Sequence, residues 1–189
     1  MLAPALQAAL VKSFPGLELR PETPADVDFL IALYTSTRWQ ELAPVEWPDA
    51  AKQDFLAQQC QLQHAHYLQH YVGAELLVLR ADHSALSQFG LAAQVAPSAA
   101  CGTELKPIGR LYCRRGASEI RLMEIALLPQ FCGRGIGGVL IQALQAEASA
   151  AALALNLHVE PTNPAQRLYR RLGFHRLEQR GVYDFLSWP

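Results

Sequence analysis

The sequence predicts an α+β (mixed α/β) domain, with a central mixed, mostly antiparallel sheet of about seven strands and flanking helices. Three observations carry this. Strand-like segments at 75–80, 106–114 and 119–128 follow one another without the helix a parallel crossover needs, which indicates an antiparallel meander. Residues 123–148 (MEIALLPQFCGRGIGGVLIQALQAEA) read as strand, glycine-rich turn and long helix, and a strand at 153–160 completes a βαβ crossover. The 189 residues are 51% hydrophobic and 17% charged, enough to bury one sizeable core.

In chain order, residues 1–15 read as an amphipathic N-terminal extension, and 16–189 as the domain proper. The start lacks a basic n-region and Pro4 interrupts it, which argues against a signal peptide. A strand at 17–20 leads to Thr23-Pro24, an N-cap followed by proline at N1, and Val27, Leu30, Ile31 and Tyr34 keep helical spacing. Residues 38–48 break the pattern with two prolines and two tryptophans, and a second helix should run from 49 to 71. Residues 82–105, rich in Ala, Ser and Gln, read as a mobile insertion. A short helix within 161–173 closes on Gly173, and two strands, 174–179 and 182–188, end the chain as a hairpin.

A net charge of −1 does not point to nucleic acid or an anionic membrane. No run approaches the roughly 18 apolar residues of a membrane span. The four cysteines are scattered, without zinc-ligand spacing, so no metal is expected and reduced thiols in a cytoplasm are the simpler reading. His66 and His70 stand at i, i+4 but lack a carboxylate in step, which favours a pocket wall over a ligand pair.

Gly133, Gly135, Gly137 and Gly138 gather where loop becomes helix. Glycine lets backbone approach a ligand, and a helix start presents unpaired N–H groups that favour phosphate. Two ligands fit. Gly133-Arg134-Gly135-Ile136-Gly137-Gly138 formally satisfies the dinucleotide fingerprint, with Glu160 near the place of a ribose-binding acid. Against it, residues 129–132 intervene between strand and first glycine, and too little chain follows for a doubly wound sheet.

The second reading uses more of the chain. ALLPQFCGRGIGGVLI resembles the acetyl-CoA pyrophosphate loop of the GNAT superfamily of acyl-CoA-dependent N-acyltransferases, usually written [Q/R]-x-x-G-x-[G/A]. Downstream, Ala165, Tyr169, Gly173 and Phe174 are similar to that family's second signature, Ala-x-x-x-Tyr-x-x-x-Gly-Phe, and the two are separated as expected. The chain departs from the pattern at Cys132, in place of Gln or Arg, and at Thr162, where the family often has Asn; Asn163 stands one place late.

The resemblance implies an N-acetyltransferase that binds acetyl-CoA through Ile125, Ala126, Leu127, Cys132, Gly133, Arg134, Gly135, Ile136, Gly137, Gly138 and Asn163. Asn163 equally reads as an N-cap. It also implies direct attack by an amine in a ternary complex, with Tyr169 as the acid that protonates the leaving thiolate. Glu124 and His158 are candidates for the base; for Glu124 the alternative is an ion pair with Arg121 or Arg110, and Asn156, His158 and Glu160 share a strand face. Element order suggests Arg38, Glu41, Trp47, Tyr67 and Tyr183 for the pocket of a small-molecule or protein amine. A homodimer is an expectation from the resemblance alone. A dinucleotide-dependent oxidoreductase and a non-catalytic acyl-CoA-binding module are the alternatives.

Overall fold

Seven strands hydrogen-bond in the order β1-β2-β3-β4-β5-β7-β6 in the computed structural model, which describes residues 4–91 and 105–189. They are β1 (Leu17–Pro21), β2 (Glu75–Ala81), β3 (Lys106–Arg115), β4 (Glu119–Leu127), β5 (Ala154–Val159), β6 (His175–Arg180) and β7 (Tyr183–Trp188). Every neighbouring pair is antiparallel except β4–β5. The helices are α1 (Pro4–Ser13), α2 (Val27–Arg38), α3 (Asp49–His70), α4 (His83–Gln88), α5 (Ile136–Ala150) and α6 (Gln166–Arg171).

The sheet separates two apolar layers. On one face the stripe Ile136, Leu140, Ile141, Leu144 and Ala148 of α5 meets Leu111, Ile120, Leu122, Leu155 and Leu157. On the other, α2 and α3 pack together, and Leu30, Leu33, Leu56 and Cys60 are buried with Tyr112 and Val78, outside that main cluster.

Two segments differ from the sequence reading. The N-terminal extension is α1, whose Leu6 and Leu10 are buried in the α5 core; its partner lies more than a hundred residues away, so the apolar stripe alone could not reveal it. The segment expected as an irregular insertion opens with α4, capped by Asp82, whose carboxylate accepts from the Ala85 amide at 2.8 Å, and Ala85, Leu86 and Leu91 are buried. The remainder of that expectation, residues 92–104, lies outside the described residues.

Candidate active site

β4 leaves β5 partway along its length. The parallel register runs only from Glu119↔Ala154 to Leu122↔Leu157, while β4 stays paired to β3 as far as Leu127 and β5 to β7 as far as Val159. A β-bulge lies at the departure point: Tyr112 faces Glu124 and Cys113 faces Leu122, so Met123 is the extra residue. Bulges bend the strand that carries them. Ile125, Ala126 and Leu127 therefore lie on a stretch of β4 whose β5-side edge has no strand partner among the described residues, a slot into which backbone N–H and C=O groups can reach a ligand.

The glycine loop begins where this open stretch ends. Pro129–Phe131 makes a 3-10 turn with Phe131 buried beneath it, and Gly135 precedes α5 at φ 87, the left-handed region that glycine enters without steric cost. The next residue, Ile136, is buried. A Cβ on Gly137 would stand 3.7 Å from Ile125 Cδ1 and 3.8 Å from Leu168 Cδ2, and one on Gly138 3.9 Å from a Leu168 methyl. The first turn of α5 thus sits where β4 and α6 converge. Its N–H groups have no intrahelical partner and carry the positive end of the helix dipole. An open strand edge ending at such a turn fits an extended ligand with a phosphate partway along it. Gly133, at φ 72, has open space around it.

Cys132 is exposed, its Sγ 3.6 and 3.7 Å from the Leu127 and Leu128 carbonyls. Arg134 turns back so that Nε donates to the Gln130 carbonyl at 2.6 Å. Asn163 Oδ1 accepts from the Ala165 amide at 2.9 Å, a local bond that orders the entry to α6.

Tyr169 is 6% exposed, its ring edge-on to Phe174 at 5.6 Å. Burial, with the Glu124 charge second, pushes its phenol up to about 12, so it keeps its proton at neutral pH. That charge comes from the opposite side of the sheet. Glu124 binds the guanidinium of Arg110 through Oε1 and accepts from Tyr67 Oη through Oε2 at 3.1 Å. Arg110 also donates to Gln63 Oε1 at 3.0 Å and stacks on Tyr112, its Cζ 5.1 Å from the ring centroid. Burial first, then the Glu124 charge, raises the Tyr67 phenol well above its ordinary range. A second cluster adjoins it: Glu22 accepts from Tyr112 Oη and lies 2.6 Å from His64 Nε2.

Of the residues expected in the acceptor pocket, Tyr67 joins this cluster. Arg38, at the end of α2, reaches Glu41 at 3.2 Å and Glu160, just past β5, at 3.1 Å, which ties the helical layer to the sheet. Tyr183 opens β7 beside Asp184, the partner of Val159, at the same end of the sheet. Trp47 stands apart: it is 47% exposed and packs edge-on to Phe55 at 5.6 Å. Twelve residues of helix, about 18 Å, separate Phe55 from Tyr67. Trp47 instead lines an open depression with Pro48, Ala51, Asp54 and Gln58.

His158 bonds Arg121 Nη1 at 2.9 Å and lies on the Phe185 ring at 5.0 Å. Burial, then Arg121 and Arg180, lower its pKa, so the ring is neutral at pH 7. The His66 and His70 rings are 4.4 Å apart at their centroids, and no group of three or more metal-binding side chains occurs among the described residues.

Glu22, Gln63, His64 and Tyr112 escaped the sequence reading. The available signal was Arg110 in the middle of an otherwise apolar strand, a charge that demands a partner from whatever covers it.

The arrangement combines one splayed parallel pair, a glycine loop at its end and a helix start beyond. The dinucleotide alternative needs a largely parallel, doubly wound sheet, and among the described residues only β4–β5 is parallel. A model of the acetyltransferase (GNAT) domain matches residues 100–176. No curated protein matches the chain significantly. Among solved structures, the PaiA N-acetyltransferase from Thermoplasma acidophilum, in complex with coenzyme A, superposes with a TM-score of 0.57 at 16% identity, over 90% of this chain and 97% of its own. PH1933 from Pyrococcus horikoshii OT3 gives 0.58 at 16% identity, over 90% and 96%. An acetyltransferase from Thermus thermophilus gives 0.54 at 20% identity, over 93% and 98%. Residues 100–176 thus resemble the GNAT acetyltransferase domain, and the chain shares the fold of these solved structures. Among the described residues no helix is long and apolar enough to cross a membrane.

Proposed function

We propose that the protein transfers the acetyl group of acetyl-CoA to a primary amine, of a small molecule or a protein, by direct attack in a ternary complex. The observation that carries this is the unpartnered edge of β4 past Leu122, with the α5 amino terminus at one end, Tyr169 on one side of the sheet and Glu124 on the other. Donor and acceptor then enter from opposite faces, and proximity supplies much of the rate.

The amine nitrogen attacks the thioester carbon, and a backbone N–H on the open edge of β4 stabilises the carbonyl oxygen as it becomes an oxyanion. Collapse breaks the carbon–sulfur bond, and the leaving thiolate takes a proton from Tyr169 Oη. The amine's own proton passes to Glu124, directly or through water. Glu124 is favoured over His158 because it lies on the open stretch of β4, whereas the His158 ring is held on Phe185 beside β7.

Calorimetric titration with acetyl-CoA and NADH, followed by thiol release across a panel of amines, tests the reading. Binding of acetyl-CoA and amine-dependent thiol release are expected. Binding of NADH without acetyl-CoA would sink it, and binding without release under any amine would support a non-catalytic acyl-CoA-binding module.

A further inference from the structure

The glycine loop is braced from outside by two elements that precede residue 100, where the family match begins. Phe14, just past α1, and Phe89, just past α4, lie 6.0 Å apart at their ring centroids. Phe89 then meets the buried Phe131 of the loop at 5.6 Å and 90°. Phe14 Cζ would stand 3.7 Å from a Cβ on Gly135. The fourth contact involves charge: Arg134 Cζ lies 5.2 Å from the centre of the Phe89 ring.

Two contacts thus hold the Arg134 guanidinium, the Gln130 carbonyl on Nε and the face of Phe89. Its terminal nitrogens have no hydrogen-bond partner among the described residues, and the residue stands two positions before the first residue of α5. A free arginine on a loop loses much side-chain entropy when it binds, and a guanidinium held in place beforehand avoids that loss. Planar, fork-shaped guanidinium suits phosphate, and stacking on a ring leaves its edge nitrogens available.

We propose that Phe89 is a positioning residue for the acyl donor: it holds Arg134 beside the α5 amino terminus so that the guanidinium meets a phosphate of coenzyme A. This rests on the acetyl-CoA reading above. It also gives the residue that ends α4 a role in donor affinity.

The test is a double-mutant cycle read by calorimetric titration with coenzyme A, which needs no acceptor. Arg134→Ala should weaken binding about ten-fold, the loss of a charge-assisted bond. Phe89→Leu keeps an apolar side chain against Phe14 and Phe131 but removes the π face, and should weaken binding about three-fold. In the Arg134→Ala background Phe89→Leu should cost nothing further, and Phe89→Tyr, which restores a ring, should bind as the wild type does. Equal losses from Phe89→Leu in both backgrounds would make Phe89 a packing residue and overturn the proposal, as would unchanged binding in the single variant or a loss in Phe89→Tyr. Wild-type protein that does not bind coenzyme A at all would overturn the acetyl-CoA reading itself, a different result from any of these.

Discussion

Arg110 on β3 and Glu124 on β4 are diagonal neighbours across the strand pair, Arg110 opposite Ala126 and Glu124 opposite Tyr112, and their side chains are bonded on the face that α3 covers. Arg110 is 2% exposed, and its Nε has no partner among the described residues. The guanidinium therefore depends on one carboxylate for its neutralisation. Glu124→Gln keeps the shape but strands that charge, and should cost about 3–5 kcal/mol of stability. Replacing both, Glu124→Leu with Arg110→Met, should recover most of it while turnover stays low. Urea unfolding beside kcat separates the two roles; stability unaffected by Glu124→Gln would show that the ion pair does not support the fold.

Tyr169→Phe keeps the ring against Phe174 and removes only the hydroxyl. Turnover should fall by about 10²-fold or more, with acetyl-CoA affinity unchanged. Because burial holds the phenol near 12, it stays protonated well past neutrality. Any fall in wild-type rate below pH 10 then belongs to another group, and the shape of that limb should persist in the residual activity of Tyr169→Phe.

Tyr67 and Trp47 lie at opposite reaches of α3 and should respond differently. Tyr67→Phe removes the donor to Glu124 Oε2 and should alter the acceptor KM or kcat. Trp47→Ala, on the outer side of α3, should leave both within about two-fold, as surface changes usually do. A large acceptor effect from Trp47 would mean that the loop before α3 folds over the site.

Asp26 couples the start of α2 to pH. Its carboxylate, 5% exposed, is held at about 2, first by the Arg20 guanidinium and further by the Thr23 amide and hydroxyl. A depressed carboxylate stabilises the fold above its unfolded pKa and loses that contribution as pH falls through the folded one. Up to about 2 kcal/mol should therefore disappear between roughly pH 4 and pH 2. Asp26→Asn should be less stable at pH 7 and flatter across that window in a pH series of urea melts.

At the other end of α5, Leu153 N bonds Ala148 O at 2.9 Å and Ala152 N bonds Ser149 O at 3.1 Å, a Schellman closure. Its left-handed residue is Ala152, at φ 54, where glycine is usual. Ala152→Gly should stabilise the protein by about 1 kcal/mol, a gain of several degrees in Tm. No gain would indicate that the unfolded chain absorbs the difference.

The meander, the crossover and the long helices were legible because each carries its own period or cap: Thr23-Pro24 before α2, alternation in β5, the apolar stripe of α5. The glycine loop and Tyr169 were legible for a related reason, since fixed spacing encloses them. α4 was not, because six residues in an Ala-, Ser- and Gln-rich stretch show no period, and its burial depends on distant partners. The Glu124 cluster was least legible. Its members come from α3, β3 and β4, and only folding makes Gln63, Arg110 and Glu124 neighbours.

Met123 acts as a phase shift. Before it, the even-numbered Ile120 and Leu122 enter the α5 core; after it, the odd-numbered Ile125 and Leu127 pack against that same core. One surplus residue thus lets a single strand keep its oily side inward while the carboxylate of Glu124 changes step and turns to the other face. Side-chain changes at Met123 leave this count intact. Deleting Met123 would restore plain alternation, with Leu122, Ile125 and Leu127 still inward and Glu124 still outward, and would remove only the bend. A chain shorter by that one residue should therefore fold, but with β4 straightened along β5 and the gap between them narrowed. Deleting Leu122 or Glu124 would remove the same surplus, but would set Met123 in the place of an inward leucine or of the outward carboxylate.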